Sequence, residues 1–299
     1  MTQRSAICFG EILWDVLPGG AMPGGAPMNV AYHLNKLGLS AGVISKRGAD
    51  KEGEGLIRFL NEHGVNTAFI QTDTVYPTGK VLATPGANYE MQYDIVFPVA
   101  WDFIDATAPA LEIVAQTDLL LFGSLAVRNE YSRKTLFELL PIAKTKVLDI
   151  NLRPPHFDQQ TIEALLDEAT ILKLNENELE LVCGWYAFAG TMQEQAAALS
   201  ERFSIKDIVV TRGAAGAAYF SDGSYYEHPG FKVNVIDTVG SGDAFLAGFL
   251  SQIQKGNKPD AALGFACKLG SFIATQKGAC PEYDPSALNN FNDQGVIID

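Results

Sequence analysis

Residues Asp237–Asp243 read DTVGSGD. Two glycines flank a serine, and an aspartate closes the run. Ahead of it, Lys232–Ile236 (KVNVI) has the composition of a strand, and behind it Ala244–Leu250 (AFLAGFL) has that of an apolar helix. A glycine-rich turn entering a helix presents unpaired backbone N–H groups, and the helix dipole adds partial positive charge there. Gly240, Ser241 and Gly242 therefore form a candidate cradle for an anion. Asp243 is out of place in it, because a carboxylate repels a phosphate. Two readings account for the aspartate. It caps the helix, or it faces a hydroxyl that attacks the phosphate. In the second case a base and an anion hole lie side by side, as phosphoryl transfer requires.

Two other phosphate-binding patterns are excluded. Gly240-x-Gly242 opens like a dinucleotide fingerprint, but Phe245 stands where the third glycine belongs, and no acidic residue ends a strand about 20 residues further on. No G-x-x-x-x-G-K-[ST] run occurs, which excludes a P-loop.

Composition narrows the remaining classes. The 299 residues are 47% hydrophobic, enough for one large α/β domain, and no internal repeat or linker divides residues 1–299. The formal net charge of −13 argues against a nucleic-acid partner. It also means that a phosphate ligand needs a local positive field from backbone amides or a few placed Lys and Arg. No apolar run is long enough for a transmembrane helix, so no membrane partner is expected. The N-terminal MTQRSAICFG lacks the pattern of a signal peptide, and a cytoplasmic protein is expected. The four cysteines and four histidines are scattered, which suits structural or surface roles better than a zinc site.

Short apolar runs alternate with helical patterns. Strands are expected at Ala6–Ile12, Gly42–Ser45, Ala68–Gln71, Asp118–Phe122, Lys146–Asn151, Ile171–Asn175 and Asp207–Thr211. Helices are expected at Asn29–Leu37, Glu52–His63, Glu130–Leu140, Thr161–Asp167, Glu176–Cys183 and Thr191–Arg202. The alternation predicts an α/β fold, a doubly wound and mostly parallel sheet with helices on both faces. Two segments break the pattern. Trp14–Gly25 is glycine-rich and reads as a loop. Thr78–Phe97 alternates apolar and polar residues about a Pro-Gly-Ala-Asn turn, and reads as a hairpin that serves as a lid or an oligomer contact.

Four further stretches carry candidate chemistry: GGAPMNVAYHLNKLG (Gly24–Gly38), DINLRPP (Asp149–Pro155), KLNENELEL (Lys173–Leu181) and TRGAAGA (Thr211–Ala217). Asn151 and Arg153 fall at a strand end, where α/β sheets bind ligands. Asn175 and Glu178, three residues apart, suit either a water-mediated magnesium site or a solvated acidic helix. Thr211-x-Gly213-x-x-Gly216 reads as a tight turn between strands.

In this order the five motifs resemble those of the ribokinase-like sugar kinases, also called the phosphofructokinase-B family. The resemblance runs from GEILWD near residue 10 to KGACP near residue 278, and GGAPMNVA is similar to the form common in fructokinases. It implies an ATP-dependent sugar kinase, most similar to fructokinases, with a small β lid from about 14–23 and 78–97. By the same resemblance Asp15, Gly25 and Asn29 contact sugar hydroxyls, and Arg153 lies near sugar and phosphate. Asn175, with Glu178, belongs to a magnesium- and phosphate-linked motif, and Thr211, Gly213 and Gly216 form the nucleotide-side turn. Gly240, Ser241 and Gly242 are the anion hole, and Asp243 is the catalytic base. Asp237, with carbonyls near Val239, Ile273 and Gly278, matches a site for a monovalent cation such as potassium. A homodimer through the lid is a further expectation. Ala26-Pro27 replace the lysine of ribokinases proper, which argues against ribose. The alternatives kept open are a related kinase for 2-keto-3-deoxygluconate, another sugar or a nucleoside, and a catalytically retired binding protein.

Overall fold

The computed structural model describes residues 4–17, 19–85 and 91–291. In chain order its strands are β1 (Ser5–Phe9), β2 (Leu13–Leu17), β3 (Gly20–Gly24), β4 (Ser40–Gly48), β5 (Ile70–Asp73), β6 (Gly79–Pro85) and β7 (Met91–Ile95). They continue with β8 (Leu119–Gly123), β9 (Lys146–Asp149), β10 (Ile171–Asn175), β11 (Asp207–Thr211), β12 (Ala217–Ser221) and β13 (Ser224–His228). The helices are α1 (Ala26–Lys36), α2 (Lys51–Glu62), α3 (Ala108–Gln116), α4 (Glu130–Leu139), α5 (Gln159–Glu168), α6 (Glu176–Trp185), α7 (Met192–Phe203), α8 (Ser241–Gln254) and α9 (Pro259–Ala274).

The main sheet has the order β13-β12-β11-β10-β9-β8-β1-β4-β5. Neighbours from β11 to β5 pair in parallel, and β12 and β13 add an antiparallel edge. The parallel strands are apolar throughout because both of their faces are covered. Alternation by two then sorts their residues. Ile7, Phe9, Leu120, Phe122 and Leu148 join one core with residues of α3 to α7. Ala6, Cys8, Leu119, Leu121 and Val147 join the other with residues of α1, α2, α8 and α9. The strand order reverses between β1 and β8, and the crevice at the carboxyl ends of those strands is where such sheets hold ligands.

A second sheet of order β3-β2-β6-β7 forms the lid. The expected hairpin at Thr78–Phe97 is present as β6 and β7, while its expected Pro-Gly-Ala-Asn turn lies outside the described residues beyond Pro85. Two expectations are corrected. Trp14–Gly25 is not a loop but most of a hairpin, β2 and β3, whose outer partner is β6 through Leu13↔Gly79 and Val16↔Leu82. Lys232–Ile236 is not a strand. It forms no ladder, and it reaches the body through Ile236 N–H donating to the Ala274 carbonyl at 2.9 Å. Helices α3 and α9 and strands β12 and β13 come in addition to the expected elements.

The lid is fixed at its base by Arg128. Its Nε donates to Asp102 Oδ1 at 2.7 Å, and its Nη2 donates to Asp102 Oδ2 at 2.9 Å and to the Val96 carbonyl at 2.7 Å. The guanidinium also lies 4.0 Å from the centroid of the Trp101 ring. Both charged side chains are shielded from solvent, so removing one strands the other. Arg128→Met is expected to lower the unfolding free energy by about 3–5 kcal/mol. The double variant Arg128→Met/Asp102→Leu should recover a large part of that loss. Denaturant titration of the three proteins measures both numbers, and a single variant as stable as the wild type would contradict this account of the anchor.

Candidate active site

Each element at the carboxyl edge delivers a functional side chain. Glu11 follows β1, Leu125 follows β8, Asn151 and Arg153 follow β9, and Lys173 lies within β10. Helix α1 adds Asn29, α8 adds Asp243, and the lid adds Leu17, Met22, Val81, Ala83, Tyr93 and Ile95. Together they line a cavity of about 520 Å³, along with Asp15, Gly25, Asp237 and Gly240. A second cavity, also about 520 Å³, is lined by Asn175, Thr211, Gly213, Gly216, Ser241 and Phe245. Thr238 and Gly242 belong to both walls. The start of α8 therefore separates the two chambers and faces each of them.

The turn into α8 depends on Gly240. It is the N-cap residue at φ 75°, in the left-handed region, and a Cβ there would lie 2.5 Å from Ala279 Cα. No side chain caps this helix. Ser241 N–H donates to the Thr238 carbonyl at 3.2 Å, and among the described residues the Gly242 and Asp243 amides have no acceptor, which is the arrangement that binds anions. Ser241 Oγ donates to the Gly270 carbonyl at 2.8 Å, so its side chain braces α8 against α9. Asp237 holds the approach to the turn: its two carboxylate oxygens accept the Val239 and Gly278 N–H groups, each at 3.0 Å.

Asp243 sits in the first turn, where its Oδ2 accepts a hydrogen bond of 2.8 Å from Asn29 Nδ2. Asn29 Oδ1 in turn accepts from the Cys280 thiol at 3.3 Å. Burial pushes the Asp243 carboxyl up to about 6, and Asp149 adds to the shift. Lys173, the Asn29 hydrogen bond and Arg153 oppose it. Asp15 is pushed up to about 6 by burial and by Asp243 and Asp237. Glu11 is 3% exposed, and among the described residues its Oε2 has no hydrogen-bond partner. Burial pushes it up to about 7. At neutral pH the cavity thus holds two carboxylates, Asp243 and Asp15, that are ionised yet more basic than usual, beside Glu11 on the edge of protonation.

The remaining expected site residues divide between the chambers. Asp15, Gly25, Asn29 and Arg153 come together in the first. Gly25 (φ 113°) lets α1 begin against the Glu11 carbonyl, a space that a Cβ would fill. Asn175, Thr211, Gly213 and Gly216 come together in the second. Asn175 caps α6: its Oδ1 accepts from Glu178 N–H at 2.9 Å, and Glu178 Oε2 accepts from Asn175 N–H at 2.8 Å. The other Glu178 oxygen accepts from Leu152 N–H at 2.8 Å, so this side chain lies beneath the chambers and lines neither. Four residues of the site received no role from the sequence: Glu11, Cys280 and the buried pair Lys173–Asp149. The pair joins aligned positions on β10 and β9. Its signal in the sequence would be two opposite charges in otherwise apolar runs, KVLD and ILKLN.

Two chambers that meet at a bare helix N-terminus, with a basic carboxylate beside it, define a group-transfer site for an anionic donor and a hydroxyl-bearing acceptor. The sequence matches the pfkB family of carbohydrate kinases over residues 19–285, and the chain belongs to that family. It is 29% identical to fructokinase-1 of Zea mays, over 95% of this chain and 96% of that one. It is 26% identical to fructokinase-2 of Solanum lycopersicum, over 92% of each. The crystal structure of fructokinase with bound ATP from Xylella fastidiosa shares the fold, with a TM-score of 0.82 and 22% identity over 92% of this chain and 94% of that one. Fructokinase from Vibrio cholerae O395 in its fructose, ADP and calcium ion bound form superposes with a TM-score of 0.79 at 25% identity, covering 94% and 96%. Among the described residues no helix is long and apolar enough to cross a membrane.

Proposed function

We propose that the chain is an ATP-dependent fructokinase that phosphorylates D-fructose on its O6 hydroxyl, with Asp243 as general base. The observation that carries this reading is the position of Asp243, in the first chamber directly after Gly242 of the shared wall and at the start of α8. The sugar would occupy the first chamber. Asp15, Asn29 and Arg153 offer polar contacts to its hydroxyls, and the apolar lid residues cover its C–H faces. The nucleotide would occupy the second chamber, against Thr211, Gly213, Gly216 and Asn175, with its terminal phosphate on Gly240, Ser241 and Gly242. Asp243 then takes the proton from the sugar hydroxyl as the oxygen attacks phosphorus in line, and the α8 amides offset the developing charge.

The charges favour a neutral acceptor. Glu11, Asp15, Asp237 and Asp243 line the first chamber against the two cations Arg153 and Lys173. An acid sugar such as 2-keto-3-deoxygluconate would bring a further negative charge into that set. The test is a panel of acceptors in a coupled ADP assay. D-Fructose is expected to give the highest kcat/KM, and a clear advantage for ribose, ketodeoxygluconate or a nucleoside would reject the assignment.

Metals fit the site unequally. Among the described residues no three His, Cys, Asp or Glu side chains converge as a metal cage. Both Glu178 oxygens already accept backbone amides, so Glu178 suits the water shell of a magnesium ion carried by the nucleotide phosphates. Such an ion would offset phosphate charge when bound. Asp237 and the carbonyls of Val239, Ile273 and Gly278 offer the oxygen donors that a potassium ion prefers. A cytoplasmic location and a homodimer through the lid, where Tyr93 is 62% exposed, remain part of the reading.

Asp243→Asn separates a base from a structural residue. Asparagine still accepts the Asn29 hydrogen bond but no longer takes a proton. A positioned base contributes roughly 10²–10⁴-fold, so kcat is expected to fall by that order while the melting temperature stays in place. A variant keeping more than about a tenth of wild-type kcat would falsify the base assignment.

The pH profile gives a second check. A base works only when ionised, and the Asp243 carboxyl stands at about 6. Activity is therefore full above that pH and lost as pH falls through it. Asp15, at about 6, and Glu11, at about 7, titrate in the same chamber and broaden the limb. Flat kcat/KM between pH 5 and 8 would contradict the assignment.

A further inference from the structure

Lys173 is the cation of the first chamber that the mechanism above leaves unused. It is 6% exposed, in β10, and its partner Asp149 on β9 is 2% exposed. The ammonium donates to Asp149 Oδ1 at 2.9 Å and to Oδ2 at 3.0 Å. An ammonium has three donors, and these two bonds use two of them. Among the described residues no acceptor takes the third. Lys173 also lines the first chamber, and a Cβ added to Gly242 would lie 3.4 Å from Nζ. The ammonium therefore faces the side of Gly242 that carries no side chain, next to the wall common to both chambers.

A buried ion pair of this kind is weak evidence for stability, because desolvation of the two charges consumes most of their attraction. Charge balance supplies a better reason for it. A phosphoryl group crossing from one chamber to the other meets Asp243 at the wall and Glu11, Asp15 and Asp237 in the acceptor chamber. The neutral amides of α8 supply only partial charges. Arg153 is exposed at the chamber, which leaves Lys173 as the buried full positive charge on the path. Burial pulls Lys173 down, but Asp149 and Asp243 more than offset it, so the group stays an ammonium throughout the neutral range.

We infer that Lys173 is a second catalytic residue, whose third N–H contacts the phosphoryl group in transit while Asp149 holds the ammonium in place. This rests on the kinase reading above. The sugar oxygen forms its bond to the γ-phosphorus, and the hydroxyl proton passes to Asp243. The bond to the bridging oxygen breaks, and its electron pair leaves with ADP. Lys173 stays protonated from start to finish and neutralises charge on the equatorial oxygens.

The test is the double variant Lys173→Met/Asp149→Asn in the full chain, compared with the wild type. Lys173→Met alone would leave a buried, unpaired carboxylate and put folding at risk. The double variant removes both charges, and with them two opposing influences on Asp243, so the base keeps roughly its own titration range. A folded double variant, checked by circular dichroism melting, is expected to lose about 10²–10³-fold in kcat, the range for one donor to a developing oxyanion. Sugar KM should change less than about threefold. A folded variant that keeps more than about a tenth of kcat would overturn the inference. So would kcat recovered at higher pH, because the loss would then come from retitration of Asp243. A wild type that neither binds ATP in calorimetry nor turns over any sugar would overturn the kinase reading and this inference together. An active wild type matched by the double variant overturns only the role of Lys173.

Discussion

The hydrogen bond from Asn29 to Asp243 joins residues 214 apart in sequence, and the geometry of the site depends on it. One partner is in the first helix and the other in the eighth, so the bond forms only when both ends of the chain have docked on the same face of the sheet. The segment after α9 locks that arrangement. His33 meets the Ala279 carbonyl at 2.9 Å and the Tyr283 hydroxyl at 3.0 Å, and Tyr32 OH donates to the Pro281 carbonyl at 2.6 Å. Burial lowers His33 to about 4, so it stays neutral and works as a structural bridge. The same segment puts Ala279 against Gly240 and Cys280 against Asn29, which couples the turn, the carboxylate and its donor.

An acidic protein with a phosphate-binding centre has to concentrate positive potential at one point. The net charge of −13 gives no long-range attraction for a nucleotide. Local devices carry the task instead. The uncapped start of α8 offers the Gly242 and Asp243 amides, which find no acceptor among the described residues, and Gly240 keeps the turn open because any Cβ would collide with Ala279. One buried ammonium stands behind them. These contributions act within a few ångströms and in a medium of low polarisability, where they count for more than surface charge.

How much of this was legible in the sequence depends on the range of the interaction. Turns and caps are local, so DTVGSGD, the Asn175–Glu178 box and the Thr211–Gly216 turn could be placed on their elements directly. Strands Ile171–Asn175 and Asp207–Thr211 carry their own apolar runs and were equally plain. The failures are all tertiary. KVNVI has strand composition but finds no ladder partner. Trp14–Gly25 has loop composition, yet it is mostly strand because β6, some 65 residues onward, supplies an edge. Helix α9 is apolar on most sides and shows no clean stripe, as expected for an element packed against α8 and the sheet. The Lys173–Asp149 pair was invisible because it depends on the register of two strands, which places those residues opposite each other.

The chemistry finally turns on how far Asp243 can be raised without losing its charge. A free aspartate is a weak base, and full desolvation beside Asp149 would drive the carboxyl toward permanent protonation. Either extreme disables it. The structure balances burial and Asp149 on one side against Lys173, Asn29 and Arg153 on the other, and the group comes to rest at about 6. There it is more basic than in water and still ionised at neutral pH, the condition under which proton transfer from a hydroxyl gains most. Asn29 therefore has two tasks: it orients the carboxylate, and it limits the upward shift that burial imposes. Removing the neighbouring Asp149–Lys173 charges together would leave that balance nearly intact, whereas removing either alone would tip it.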